Sequence, residues 1–249
     1  MGKTGRLCIA VCILFSLGGR NPTFGQTLTP DEIIAKFLEK ARKDFLYIGD
    51  NYIHEELEIT DNLKNGVVTE RGEKLFIVKK EEESFYKKLV AKDGVPADDS
   101  KFELKREIVS ISPGFFKRYF FALERSEVFE GRKCWVLSFK PRGNFPEEKR
   151  EDRILNNLAG EIWIVQNTFD LARITFRLTR EVSYAWPGFV GGKARKVEGV
   201  IIGGLINGYL VVNSVRVEYE YSVRALFWPK NVHLIKTIRY QNYERRNPR

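Results

Sequence analysis

Between Leu158 and Leu178 the chain reads LAGEIWIVQNTFDLARITFRL, and this stretch constrains the fold more than any other. Ile162, Trp163, Ile164 and Val165 form a β-branched and aromatic run. Gln166, Asn167 and Thr168 supply turn residues, and Ile174, Phe176 and Leu178 then alternate with Arg173, Thr175 and Arg177. The pattern is a strand, a turn and a second strand. An antiparallel sheet built this way can wet one face but must cover the other. What covers the apolar face is therefore the central question for the chain.

Helical periodicity offers little cover. Thr29-Pro30-Asp31-Glu32 is a capping box with proline at the first helical position, and Ile33, Ile34, Phe37, Leu38, Ala41 and Phe45 follow at helical spacing, with an end near Gly49. Asp98-Asp99-Ser100 can cap a second, weaker helix through about Val109, with Phe102, Leu104, Ile108 and Val109 as its apolar stripe.

Elsewhere the period is two. Tyr52 to Thr60 sets Ile53, Leu57 and Ile59 on one face and His54, Glu56 and Glu58 on a wet one; Asn65-Gly66 reads as a hairpin turn into Val67 to Glu70. Leu75 to Val78 and Phe85 to Lys92 continue the series up to Asp93-Gly94. Tyr119 to Glu127 and Lys133 to Phe139 flank the turn Glu130-Gly131, with Trp135, Leu137 and Phe139 sharing a face. Pro141 to Asn157 is highly charged and reads as a long exposed connection, and Pro187, Gly188, Gly191 and Gly192 read as a loop. In GVIIGGLINGYLVV, Gly203, Gly204, Asn207 and Gly208 read as a turn between buried strands, since the run falls short of the roughly twenty apolar residues a membrane helix needs. Val215, Val217, Tyr219, Tyr221 and Val223 give the clearest alternation, and Val232 to Tyr243 closes the domain.

Residues 1 to 25 are expected to lie outside this domain. Lys3 and Arg6, the apolar run Leu7 to Leu17 and the small-x-small site Thr23-Phe24-Gly25 read as a secretory signal peptide, leaving one domain over 26–249. A lipid-anchor reading at Cys12 is disfavoured by the bulky Val11 before it. Loss of Lys3, Arg6 and Arg20 takes the formal charge from +9 to +6. That excess fits a solubilising surface or attraction to anionic envelope polymers. It does not point to nucleic acid, because export removes that partner and the basic residues are interleaved with Glu, as in KKEEE at Lys79 to Glu83. Cys8 and Cys12 leave with the leader, so Cys134 has no partner for a disulfide within one mature chain and reads as a small buried hydrophobe.

The residues offer no catalytic constellation. His54 and His233 are the two histidines, both placed at the surface by this reading, and there is no Gly-x-Ser-x-Gly elbow, phosphate-cradling loop or His-Glu-x-x-His pair. No metal or cofactor is expected. Paired carboxylates from distant strands remain the one route to an enzyme.

The positive feature is aromatic content, 13% of the chain, much of it on one strand phase. A long curved antiparallel sheet, mainly β and closed by one or two helices, leaves a concave apolar surface that must be covered, filled or offered to a ligand. Trp135, Phe139, Ile162, Ile164, Ile174, Phe176, Leu178, Tyr219 and Tyr221 are the candidate lining, with Ile34, Phe37, Leu38 and Phe45 on the helix that would act as lid. Core filling is the competing role for each of them. A lipid chain suits such a surface, because each buried methylene contributes ~0.8 kcal/mol without polar recognition.

The order of segments also resembles a known family. The leader and amphipathic helix are followed by Tyr86 to Pro96 (YKKLVAKDGVP), Gly131-Arg132-Lys133-Cys134-Trp135, Gly160-Glu161-Ile162-Trp163-Ile164, Asp170-Leu171-Ala172-Arg173-Ile174 and the late Trp228-Pro229. Together these resemble bacterial outer-membrane lipoprotein-sorting-like proteins of the LolA/LolB type, over essentially the whole mature chain. The resemblance implies an incurved, half-open antiparallel barrel of about eleven strands with helices inside or across its mouth. It also implies a cavity for acyl chains, a periplasmic location and no catalysis. Lipid or lipoprotein acyl chains and membrane-anchored proteins would be the partners of a monomer. The chain departs from the carrier pattern in its length, its longer inserted segments and its weak second helix.

Overall fold

A computed structural model describes residues 28–82, 84–97, 101–104, 116–143, 145–147, 150–186, 190–224 and 229–246. The proposed leader lies outside the described residues. Helix α1 (Pro30–Asn51) begins as its capping box predicts: Thr29 Oγ1 accepts from the Glu32 N–H, and the Glu32 carboxylate accepts from the Thr29 N–H at 2.7 Å. Strands β1 (Tyr52–Lys64), β2 (Val67–Glu81), β3 (Ser84–Lys92), β4 (Val95–Pro96) and β5 (Glu103–Leu104) follow, then β6 (Tyr119–Phe129) and β7 (Arg132–Pro141). A short helix α2 (Arg150–Leu155) leads to β8 (Leu158–Val165), β9 (Leu171–Leu178), β10 (Val182–Trp186), β11 (Val190–Ile206), β12 (Tyr209–Arg224) and β13 (Pro229–Arg245).

All described strands join one antiparallel sheet of thirteen, more than the eleven or so expected, in the order β4-β3-β2-β1-β13-β12-β11-β9-β8-β7-β6, with β10 on β11 and β5 on β3. The sheet is incurved and not closed. Its first and last long strands are neighbours in the middle: Glu58 of β1 faces Ile238 of β13. Four hairpins turn on two-residue links with both residues at positive φ: Asn65-Gly66, Asp93-Gly94, Glu130-Gly131 and Asn207-Gly208. This is the turn whose twist matches that of the flanking strands.

Several expectations fail for identifiable reasons. Glu103–Leu104 pairs with Lys87 and Tyr86 as strand, where a capped helix was expected; the remainder of that helix, apart from Lys101 and Phe102, lies outside the described residues. The Pro141 to Asn157 connection carries α2 and is not simply exposed. Arg118 donates to Asp152 at 2.6 Å and to Asn156 at 2.8 Å, and the Tyr119 hydroxyl donates to the Leu155 carbonyl. That segment's charges are used to dock it. Gly191 and Gly192 belong to β11, as do Gly203 and Gly204, so only Asn207-Gly208 makes the later turn. Gly203 is small for a different reason: a Cβ there would sit 2.0 Å from the Leu171 carbonyl oxygen of the neighbouring strand.

The core lies between α1 and one face of the sheet, here called the helix face. Ile33, Ile34, Phe37 and Ala41 pack with Tyr119, Leu137, Phe139, Leu158, Ile162, Ile164, Leu171, Ile174, Val197, Ile201 and Val217. A second cluster forms on the outer face from Cys134, Val136, Trp163, Val165 and Ala172. There the Trp163 indole N–H donates to Glu127 at 2.5 Å, and the guanidinium groups of Arg173 and Arg125 lie 5.2 and 5.8 Å from its ring. Cys134 is a buried hydrophobe, as its sequence setting suggests.

Candidate functional site

Strand parity and register decide which side chains meet on the helix face. Trp135 faces Ile164, Leu137 faces Ile162, and Ile162 faces Ile174 across β7, β8 and β9. Ile174 faces Ile201, and Phe176 lies between Gly160 and Gly199. Leu158 faces Leu178, while Tyr219 and Tyr221 face Val197 and Ala194. All nine residues singled out from the sequence therefore share the face on which α1 lies. Phe176 spreads over Gly199, where an added Cβ would sit 2.6 Å from the ring.

Their environments differ. Ile164 is 0% exposed and Ile162 1%, with Phe139 and Ile174 nearly as enclosed beneath α1. Trp135, Phe176, Leu178, Tyr219 and Tyr221 are half-buried to the sides. Aromatic contacts knit the β6–β7 end: Tyr119 meets Phe139 edge-on at 5.0 Å, Phe121 lies 6.3 Å from Phe139, and Phe37 of α1 meets Phe116 at 5.7 Å. Trp135 packs against Phe169 at 5.5 Å. Burial pushes the Tyr219 and Tyr119 hydroxyls above the ordinary phenol range.

The helix that covers this face is anchored at its middle by charge as well as by its apolar stripe. Asp44 accepts from Lys40 Nζ at 2.6 Å and from the Leu210 N–H at 2.8 Å, and Lys40 also meets Asp170 at 3.2 Å. Of the four lid residues expected, Ile34 and Phe37 are buried and Leu38 packs against the cluster, whereas Phe45 is 49% exposed and meets Phe85 at 4.9 Å. The buried positions run Ile34, Phe37, Ala41, Asp44, Ile48, a spacing that puts Asp44 where Phe45 was expected.

A larger correction concerns β1. His54, Glu56 and Glu58, read as a wet face, point to the helix side. His54 stacks on Tyr243 with ring centroids 5.0 Å apart, and Glu56 is 2% exposed. On the same face Glu58 accepts from Lys236 at 2.8 Å and from Lys87 at 2.9 Å. Burial alone would raise the Glu58 pKa, but these two lysines outweigh it and hold the carboxyl at about 2. His233, on the outer face, lies 2.7 Å from Glu218, which also accepts from Lys196.

The helix face is thus apolar from β6 to β12, and beyond them it carries Lys236 of β13, Glu56 and Glu58 of β1 and Lys87 of β3 among apolar side chains such as Ile238 and Phe76. Sequence reasoning missed Val197, Ile201 and Ala194 on the apolar part, because β11 lacks a clean alternation; Val217 was visible in the β12 pattern. It placed Glu56 and Glu58 on a wet face and did not single out Lys87 or Lys236. Among the described residues no group of three His, Cys, Asp or Glu side chains is placed to hold a metal ion, and no helix is long and apolar enough to cross a membrane.

The chain matches no family model and no curated protein. Solved structures that it resembles include a LolA superfamily protein from Nitrosomonas europaea, at 12% identity over 90% of this chain and 96% of the other with a TM-score of 0.37. Another is a DUF1329 family protein from Desulfovibrio piger, at 12% identity over 88% and 94% with a TM-score of 0.43. A third is a domain of the outer-membrane lipoprotein-sorting kind from Vibrio parahaemolyticus, at 11% identity over 85% and 93% with a TM-score of 0.39.

Proposed function

We propose that this chain is a non-catalytic binder of apolar guests, lipid acyl chains or lipid-modified protein, exported to the periplasm by residues 1–25 and sheltering its guest on the helix face of the sheet. The observation that carries the reading is the unequal cover of that face. One helix closes over Ile162 and Ile164, while Trp135, Phe176, Leu178, Tyr219 and Tyr221 beside it keep exposed area. Aromatic and aliphatic surface left half-covered next to a single amphipathic helix suits an elongated apolar ligand.

Magnitudes support a lid role for α1. The buried side chains Ile33, Ile34 and Phe37 together contribute roughly 5–9 kcal/mol of apolar burial. About six to eleven methylenes, at ~0.8 kcal/mol each, offset that loss, so one acyl chain can exchange for the helix stripe or lie beside it.

The test is the variant Phe176→Glu, produced with its leader in a bacterial envelope and analysed by native mass spectrometry after mild extraction. Wild-type protein is expected to carry lipid and the folded variant to carry much less. Equal lipid occupancy in a folded variant overturns the assignment. A second reading, an envelope interaction module with a filled interior, is favoured by the full enclosure of Ile164. Wild-type protein free of lipid would support it.

A further inference from the structure

At one end of the sheet β6 has no neighbour on its far side among the described residues. Tyr119 stands opposite Pro141, which has no N–H, and the Arg142 N–H donates to the Arg118 carbonyl at 2.8 Å. The ladder to β7 therefore uses the phase of Arg118, Phe120 and Ala122, and the main-chain groups of Phe121 and Leu123 point to the open edge. Val128 and Phe120 on this strand are 70% and 57% exposed. The opposite edge is managed differently: β3 is flanked by the two-residue strands β4 and β5 and carries Lys87, Lys88 and Lys92. β6 has neither lysine nor proline to blunt it.

A bulge between Leu123 and Arg125 sets the symmetry of this strand. Before it Phe121 and Leu123 lie on the helix face, opposite Phe139 and Leu137; after it Ser126 and Val128 do, opposite Trp135 and Lys133. The extra residue reverses the alternation, so the order of faces reads the same in both directions from Glu124 and Arg125. A second β6 laid antiparallel about that centre matches it face for face. Val128 then meets Phe121, Ser126 meets Leu123, and Phe129 meets Phe120 on the outer face. Glu127 falls opposite Ala122, and Glu124 meets Arg125 twice, so no like charges stand directly opposite. Arg125 already binds Glu127 and Glu161, both at 2.8 Å. Glu124 accepts from the Ser138 hydroxyl at 2.5 Å and has no cation in reach among the described residues. Arg132, Lys140, Arg173 and Arg177 share the outer face of these strands, so the Glu124 of a second copy enters a surface of net positive charge.

We propose that two copies of this chain join through β6, edge to edge and antiparallel about a two-fold axis between Glu124 and Arg125, in place of the monomer that the family resemblance implies. The bulge and the charges exclude indiscriminate pairing, yet they admit a strand with the same extra residue and the opposite charge order. Both helix faces then lie on one side of a continuous sheet. The pairing stands whether or not those faces hold a guest.

The experiment is sedimentation of the chain 26–249 from micromolar to millimolar concentration, where wild type is expected to pass from monomer to dimer. Val128→Lys, at an exposed position, and Glu124→Arg, which sets cations opposite each other, should each weaken the dimer about tenfold or more, because each change enters twice across the axis. Arg125→Glu alone should do the same. Mixed with Glu124→Arg it should restore a dimer with one copy of each, since both central pairs are then of opposite charge. Amide exchange at Phe121, Leu123, Ser126 and Val128 should slow as concentration rises. Wild type that stays monomeric at millimolar concentration overturns the proposal. Slow exchange of those amides would then assign the edge to another part of the chain, and fast exchange would leave it to a different partner. A dimer that folded Val128→Lys or Glu124→Arg leaves intact overturns it too, as does a mixture of the folded charge variants that remains monomeric. Should Arg125→Glu not fold, Val128→Lys and Glu124→Arg still decide.

Discussion

The Asp44 carboxylate of α1 accepts a hydrogen bond at 2.8 Å from the backbone N–H of Leu210, 166 residues further along the chain. It ties the covering helix to the start of β12, and Lys40 extends the tie to Asp170 beside β9. Removing the carboxylate leaves a buried N–H unsatisfied and a lysine short of its partner.

Asp44→Ala is therefore expected to destabilise the protein by about 3 kcal/mol, seen as a lower urea midpoint at unchanged slope. Glu39→Ala removes only the exposed pair with Lys43 and should leave the midpoint where it is. Equal effects of the two substitutions would deny Asp44 its anchoring role.

Acid should act on the sheet through Glu58. Its folded pKa lies at about 2, against an ordinary value of 4.5. A depressed carboxyl contributes stability that is complete above the unfolded value and is lost as pH falls from 4.5 through the folded one. Because the site is partly solvated, we expect about 1–2 kcal/mol from this group. Urea melts of wild type and Glu58→Gln should differ by more at pH 6 than near pH 2.5. A difference independent of pH would rule the linkage out.

Glycine positions divide sharply by what lies around them. Gly203→Ala would drive a Cβ into the Leu171 backbone and should cost roughly 3 kcal/mol or more, enough to lower expression of folded protein. Gly66→Ala meets open space but needs φ of +77°, so only about 1 kcal/mol of turn strain is expected. Thermal melts of the pair check the order.

Cys134 is 0% exposed, and burial raises its thiol pKa above the ordinary value. In the chain beginning at residue 26 it should resist an aromatic disulfide reagent in native buffer. Its labelling rate should rise in parallel with the unfolded fraction in urea. Rapid labelling of the native protein would show that the β7–β8 outer face opens locally.

The hairpin from Leu158 to Leu178, the turns at Asn65-Gly66, Asp93-Gly94 and Glu130-Gly131 and the capped start of α1 were legible because each depends on neighbours a few residues apart. The pairing of Trp135 with Phe139, Ile162 with Ile164, Ile174 with Phe176 and Tyr219 with Tyr221 on one side of each strand was legible for the same reason. Phe45 was misplaced because a stripe read from apolar residues alone passes over Asp44, whose burial depends on a distant N–H.

Periodicity by itself determined that the chain is mainly antiparallel β with an amphipathic helix, and which side chains within a strand point the same way. Only the tertiary structure decided which of the two ways faces the helix. β1 shows why. Its alternation of Ile53, Leu57 and Ile59 with His54, Glu56 and Glu58 is equally regular in either orientation. The choice was made by register with β13 and β2 and by Lys87 and Lys236, which make an inward Glu58 tolerable. Those partners lie 29 and 178 residues away in sequence. A charge can be brought inside only where its counter-charges are delivered, and that delivery depends on how distant strands pair.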